Sequence, residues 1–220
     1  MGELWEVIVD HFPRFRAGFF VTLQLVGVSF AIALVVGTIV GALRVQPIKP
    51  LRWLGTVYVE FFRNIPLLVL LFIAFAGLRR AGIEISPFLA GTGSLGLYTA
   101  AYVAEAIRSG VFAVGPGQIE AALSIGFTYP KALRKVVLPQ AVRTVIPPLG
   151  NLTIAMIKNS AIIGAALGLA TDLLKQARIV NSRTFQTNEA FFWGAVGYLL
   201  LTVSATLAVR LLEQRLVIRR

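Results

Sequence analysis

Five long apolar runs limit what this chain can fold into, at about 17–43, 56–78, 94–113, 144–170 and 190–212. Coiled as helices, runs of roughly 18 or more apolar residues match the ~30 Å hydrocarbon thickness of a bilayer. The chain is 57% hydrophobic with a mean hydropathy of +0.79, whereas soluble domains are about 45–50% apolar. The short alternating segments of a membrane β-barrel do not occur. The expected fold is an all-α integral membrane protein with about five transmembrane helices. One domain covers residues 1–220.

The net charge of +11 raises the possibility of a nucleic-acid partner, but its distribution argues against one. If the loops alternate between two sides, one side carries twelve Lys and Arg against two Glu. These include Arg44, Lys49, Arg52, Arg108, Lys131, Arg134, Lys135 and Arg143. The other side carries seven basic against six acidic residues. Lys/Arg bias puts the first side in the cytoplasm. That places the N-terminus outside and the C-terminus inside, which five spans satisfy. The basic charge therefore reads as topology. Glu3, Glu6 and Asp10 have the wrong sign for a cleavable signal peptide, so none is expected. With no Cys and a single His11, neither a disulfide nor a metal site is expected.

Residues 1–16 read as an interfacial lead-in to the first helix. Gly37 and Gly41 have the small-xxx-small spacing that permits close helix packing, as do Gly164 and Gly168. Pro147-Pro148 predicts a kink or a late start in the fourth span. Two motif matches fail on context. Gly91 to Gly96 spells a dinucleotide fingerprint but follows no strand. Asn151-Leu152-Thr153 spells a glycosylation sequon but lies where a spanning helix begins. No GxxxxGK[ST] loop is present, so this chain is not expected to hydrolyse ATP.

One polar stretch, Gln118 to Asn151, interrupts the apolar pattern on the cytoplasmic side. Gly115-Pro116-Gly117 ends the third span, and Gln118 to Ile125 predicts a short helix with small Ala121 and Ala122 on it. Gly126 suits a left-handed stop. Thr128-Tyr129-Pro130 makes a turn, and Lys131 to Val137 predicts a second short helix that Leu138-Pro139 breaks. Two readings are open from the residues alone: an amphipathic interfacial loop, or a surface gripped by another protein, with Glu120 as its directed charge.

The spacing Glu120-Ala121-Ala122, Gly126, Val136, Leu138-Pro139 resembles the EAA motif of ABC-importer permeases, with Val in place of the usual Ile. Tyr58 to Leu68, Ala101 to Gly110, Leu138 to Arg143 and Ile157 to Ser160 are similar to further signatures of polar amino-acid permeases. The resemblance covers residues 18–215. It implies a MetI-like fold in which segment 115–139 is a coupling helix seated in a separate ATPase. Glu120, Ala121, Ala122 and Gly126 would be the transmission contacts. It further implies a second permease subunit (the same chain or a sister), two ABC ATPases and an extracytoplasmic amino-acid-binding protein as partners, with membrane lipid around them. The expected location is the bacterial inner or plasma membrane. No cofactor is expected on this chain; ATP and Mg would be used by the ATPase.

Ionisable residues within spans are candidate functional groups. Glu60 with Arg63, and Glu105 with Arg108, lie one turn apart near the cytoplasmic ends of the second and third spans. They are expected to neutralise one another as two pairs or a cross-helix quartet, or to act in gating. Lys158 lies mid-span, as a snorkelling or paired residue or on the translocation pathway with Asn159 and Ser160. Asn151, Asn64 and Gln24 are further candidate polar contacts. Relatives that carry cationic amino acids tend to have acids near the positions of Leu152 and Asn159. This chain has none there, so the resemblance points to a neutral or acidic substrate, glutamate first, with glutamine or another neutral or cationic amino acid as the alternative. Readings of other classes are an ATP-independent channel or carrier and a membrane scaffold.

Overall fold

A computed structural model describes residues 2–166 and 171–216. Gly168 and the end of the fourth apolar run lie outside the described residues. The described residues are helical, joined by short turns, with no strand among them.

Helix α1 runs Gly2–Arg44 without interruption. The expected lead-in is thus part of the helix. Its inward face carries buried Val7 and Phe15 into the first turns. Trp193 Nε1 donates to the Leu4 carbonyl at 2.7 Å, and the Trp5 and Trp193 rings meet at 5.6 Å. Apolar burial therefore offsets the acids on the exposed side. The second apolar run is not one rod. Helix α2 (Lys49–Asn64) and the segment Leu67–Arg80 meet at 100°. Pro66 disfavours helical dihedrals at the preceding residue, and Ile65 is extended at φ −105 and ψ 130. Beyond it come α3 (Leu67–Phe72), a widened π turn at Ile73–Gly77 and α4 (Leu78–Arg80).

Helix α5 (Pro87–Ala113) starts at Ser86, whose Oγ accepts from the Leu89 N–H at 3.2 Å. Then come α6 (Pro116–Ser124), α7 (Tyr129–Ala132), a π turn at Leu133–Val137 and α8 (Leu138–Ala165). Leu138-Pro139 does not break the second short element, and α8 does not start late at Pro147-Pro148. Val137 and Leu138 keep right-handed helical dihedrals, so the π turn passes directly into α8. Pro139 would strike the carbonyl four residues back. That carbonyl, of Lys135, lies within the widened turn. Pro147 and Pro148 are internal to α8. The carbonyls they leave unbonded belong to Arg143 and Thr144, which are exposed.

A further helix, α9 (Leu173–Thr184), occupies what the sequence reading left as a loop, and α10 (Thr187–Leu216) ends the described chain. By length and hydropathy α1 and α10 can each cross a membrane, and the bent pair qualifies together. That gives two to three qualifying spans against five apolar runs. Helices α5 and α8, at 27 and 28 residues, have length enough at about 1.5 Å per residue. Their interior faces hold small and polar residues such as Thr92, Ser94, Thr99 and Ser160, which lowers their hydropathy.

Helix α5 is central. It lies along α1 and also packs on α2, α3 and α8. A Cβ on Gly37 would sit 2.6 Å from Val103 and 2.8 Å from the Ala100 carbonyl. The small-residue spacing on α1 thus lets α5 approach backbone to backbone. The main core joins Leu25, Leu71, Leu95, Val103, Met156 and Ile163 from α1, α3, α5 and α8.

Candidate transport site and coupling surface

Helix α6 ends as the glycine foretold. Gly126 is left-handed at φ 88. Its N–H donates to the Leu123 carbonyl, and the Phe127 N–H donates to the Ala122 carbonyl, both at 3.0 Å. This is the Schellman closure, which satisfies the last carbonyls and stops the helix. The closure sorts the four motif residues. Glu120, Ala121 and Gly126 are exposed, while Ala122 is buried. Next to them Ile125 is 75% exposed and Tyr129 58%. The sequence reading missed both, although an Ile just before a helix-stopping glycine is the available signal. Gln140 Nε2 donates to Gln118 Oε1 at 3.1 Å and so joins α8 to α6.

About 28 Å along α8 from Gln140, at 1.5 Å per residue, comes Asn159. It lines a cavity of about 220 Å³ between α5 and α8, with Tyr98, Thr99, Tyr102, Leu152, Ala155 and Met156. The Tyr98 and Tyr102 hydroxyls share a hydrogen bond at 3.0 Å. No lining residue is charged. One wall residue meets a cation: the Arg63 guanidinium lies 5.5 Å from the centre of the Tyr102 ring. A cation over an aromatic face is attracted by the ring quadrupole.

Of the six residues expected on the pathway, only Asn159 lines this cavity. Ser160 is fully buried and donates to the Ile157 carbonyl at 2.7 Å. Lys158 and Asn151 share a different, exposed face of α8. Gln24 is exposed on α1. Asn64 is exposed, and its amide donates to the Glu60 carbonyl at 2.7 Å and the Glu60 carboxylate at 3.2 Å. The sequence reading did not single out Tyr98 and Tyr102 as a pair, although their spacing of four puts them on one helix face.

The expected charge pairing also changes. Glu105 and Arg108 pair at 2.6 Å, but Glu60 and Arg63 do not pair. The Glu60 carboxylate takes the Asn64 amide, and Arg63 leans on Tyr102. The second partner of Glu105 is Arg44, from the end of α1. Arg44 had been counted as a loop charge. Its side chain is only 10% exposed, and its Nε has no partner among the described residues. Glu105 thus bridges two guanidiniums where α1, α2 and α5 converge.

Comparison with known proteins identifies the class of this arrangement. The family described as the binding-protein-dependent transport system inner membrane component matches residues 33–218. The chain belongs to this family. The permease is 45% identical over 211 residues to the probable glutamine ABC transporter permease protein GlnM of Bacillus subtilis, covering 96% of this chain and 97% of that one. It is 37% identical to the glutamate transport system permease protein GluC of Corynebacterium efficiens across the full length of both. Among solved structures, an amino acid ABC transporter crystallised with histidines matches with a TM-score of 0.89 and 38% identity, over 94% of this chain and 96% of that one. The permease is accordingly a cell-membrane subunit of an amino-acid ABC importer, with a MetI-like fold.

Proposed function

We propose that this permease carries a neutral polar amino acid of the glutamine class, with glutamate as the second substrate. The observation that carries this reading is the uncharged cavity beside Arg63. A free amino acid brings a carboxylate that needs a cation, and Arg63, 5.5 Å from the ring of the wall residue Tyr102, is the one we assign to it. What remains in the cavity is Asn159 and two phenolic hydroxyls, which can donate to and accept from an amide. A second carboxylate would have no second cation, and a guanidinium or ammonium would have no acid; leaving either unpaired in a desolvated site is costly. Lys158, on another face of α8, no longer argues for an anionic side chain. This reverses the order of the two substrates expected from sequence. The names of the two relatives, one glutamine and one glutamate, favour the same pair.

The proposed mechanism is ATP-driven alternating access. Two permease subunits present two α6 helices to two ATPase subunits, which bring the ATP and Mg. A binding protein delivers the amino acid from outside. Exposed Glu120, Ala121, Gly126 and Ile125 form the docking surface, with Ala122 packed beneath. The permease needs only two packings of similar free energy for nucleotide state to bias.

Proteoliposomes containing the permease with its cognate ATPase and binding protein test this reading. Glutamine should stimulate ATP hydrolysis and accumulate in the vesicles at lower concentration than glutamate. Arginine should do neither. Stimulation by arginine alone would refute the substrate assignment.

A further inference from the structure

The groove between the N-terminal half of α1 and the start of α10 shares no lining residue with the transport cavity. It has a volume of about 350 Å³, and its walls include Phe12, Arg16, Phe20, Trp193 and Leu200, with Gly197 opposite. Gly197 presents no side chain, which lets Leu173, another wall residue, pack directly against α10. Apart from Arg16, its lining is apolar or glycine. Phe12 and Phe20 lie one turn either side of Arg16 and are 54% and 53% exposed. An exposed cation therefore interrupts an apolar stripe. Among the described residues no carboxylate pairs with it, although Glu3, Glu6 and Asp10 lie in the same helix.

Depth says what can fill such a groove. Arg16 is the last charge before an uncharged run that ends at Arg44. That run is about 40 Å long at 1.5 Å per residue, against a hydrocarbon core of about 30 Å. Arg16 thus stands at headgroup level. On α10 no charge occurs between Glu189 and Arg210, and Trp193 lies one turn inside that boundary, where aromatic belts sit. The apolar walls at Phe20 and Leu200 extend from Arg16 toward the bilayer centre. A ligand that satisfies both parts carries an anion at one end and a hydrocarbon chain at the other.

We infer that this groove is a binding site for one anionic phospholipid, its phosphate held by Arg16 and an acyl chain lying between α1 and α10. A zwitterionic lipid has the same phosphate but carries its own cation, which competes with Arg16. The site therefore discriminates by net headgroup charge.

Trp193 lets this single site be read. The chain has three tryptophans, Trp5, Trp53 and Trp193, so W5F/W53F leaves Trp193 as the sole indole. The full-length protein in detergent micelles is titrated with brominated-chain phosphatidylglycerol or the same chains on phosphatidylcholine, and Trp193 quenching is followed. Phosphatidylglycerol should quench with an affinity about tenfold higher, the scale of one charge-assisted hydrogen-bonded contact. Arg16→Gln should abolish the preference, and Arg16→Lys should keep most of it. Val196→Trp is avoided because it adds an indole; Val196→Phe, which narrows the groove, should weaken quenching by both lipids. Circular dichroism and the Trp193 emission maximum verify the fold of each variant. Equal quenching by the two lipids in the Arg16 protein, or an undiminished preference in folded Arg16→Gln, overturns the inference. So does a change in dimer content with Arg16→Gln at constant lipid affinity, which would make the groove a protein contact.

Discussion

Glu105 should be worth more to the permease than either arginine it holds. Arg44 is 10% exposed at its side chain and Glu105 26%. Glu105→Gln leaves Arg44 charged, nearly buried and without a carboxylate. Breaking a buried pair in this way costs about 3–5 kcal/mol, because the orphaned charge stays desolvated. The partial exposure of Glu105 puts the expected loss at the low end, about 3 kcal/mol. For a chain of this size each kcal/mol moves the melting temperature by about 2–4 °C, so a fall of about 10 °C is expected. Arg44→Met should cost less, because Glu105 keeps Arg108 at 2.6 Å. The double variant Arg44→Met, Glu105→Met should recover most of the loss, since replacing both partners by apolar side chains is often neutral. Melting in detergent, followed by tryptophan fluorescence and with Glu105→Met as the matching single variant, gives all four corners of the cycle. A double variant as unstable as Glu105→Gln would refute the reasoning. The site would then depend on packing around the arginine stem, not on its charge.

Four other outcomes follow from the geometry. Glu120→Arg and Ile125→Ser should each uncouple ATP hydrolysis from uptake in proteoliposomes while leaving the melting temperature within about 1 °C, because both side chains are exposed. Asn159→Asp should admit cationic amino acids, since it adds the missing acid to the cavity; competition assays with arginine would show it. Gly164→Leu should block folding or cost several kcal/mol, about 3 or more, because even a Cβ there meets the Asp172 carboxylate; expression and melting are the readouts. Burial raises the Asp172 carboxyl above its ordinary range, so the folded state holds that proton more tightly than the unfolded chain. Relative to Asp172→Asn, the wild type should lose stability as pH rises from about 4, the unfolded value, toward the raised folded value. A pH series of melting curves on both proteins measures this slope.

Local chemistry made parts of this protein legible in its sequence. Gly126 could be foreseen as left-handed because it follows a short run of helix formers, and it closes α6 as expected. Gly37 could be read as a close-packing site because its spacing from Gly41 has few other uses. What failed involved distance or competition. Arg44 looked like a loop cation because nothing near it in sequence is acidic; its partner is 61 residues away. Glu60 and Arg63 looked like a pair because spacing allows it, but Asn64 and Tyr102 offered each a better contact. Helix α9 was overlooked because it is too polar for a span. Its start is marked in sequence by Asp172, whose Oδ1 accepts from the Lys175 N–H at 2.9 Å in the manner of an N-cap. The cavity was mostly invisible, because its walls come from faces of α5 and α8 that only the packing brings together.

Helix α8 gives the molecule a mechanical reading that neither the coupling surface nor the cavity supplies alone. At its start Gln140 holds Gln118 of α6. Midway Leu152, Ala155, Met156 and Asn159 form one wall of the cavity. At its end Gly164 lies against the carboxylate of Asp172, which also accepts from the Tyr198 hydroxyl at 3.0 Å. The Leu173 N–H beside it donates to Thr22 Oγ1 at 3.0 Å. Three small contacts thus fasten the far end of α8 to α1, α9 and α10, whereas a π turn precedes its near end. Such turns are common where helices adjust for function. A force on α6 would therefore move the near end of α8 about a fixed far end, and the cavity wall lies between the two. Cutting the near link with Gln140→Leu should lower coupling without altering substrate affinity. Loosening the far end with Tyr198→Phe should change both, because the wall would lose its anchor. Equal effects from the two substitutions on coupling and affinity would argue against a lever fixed at one end.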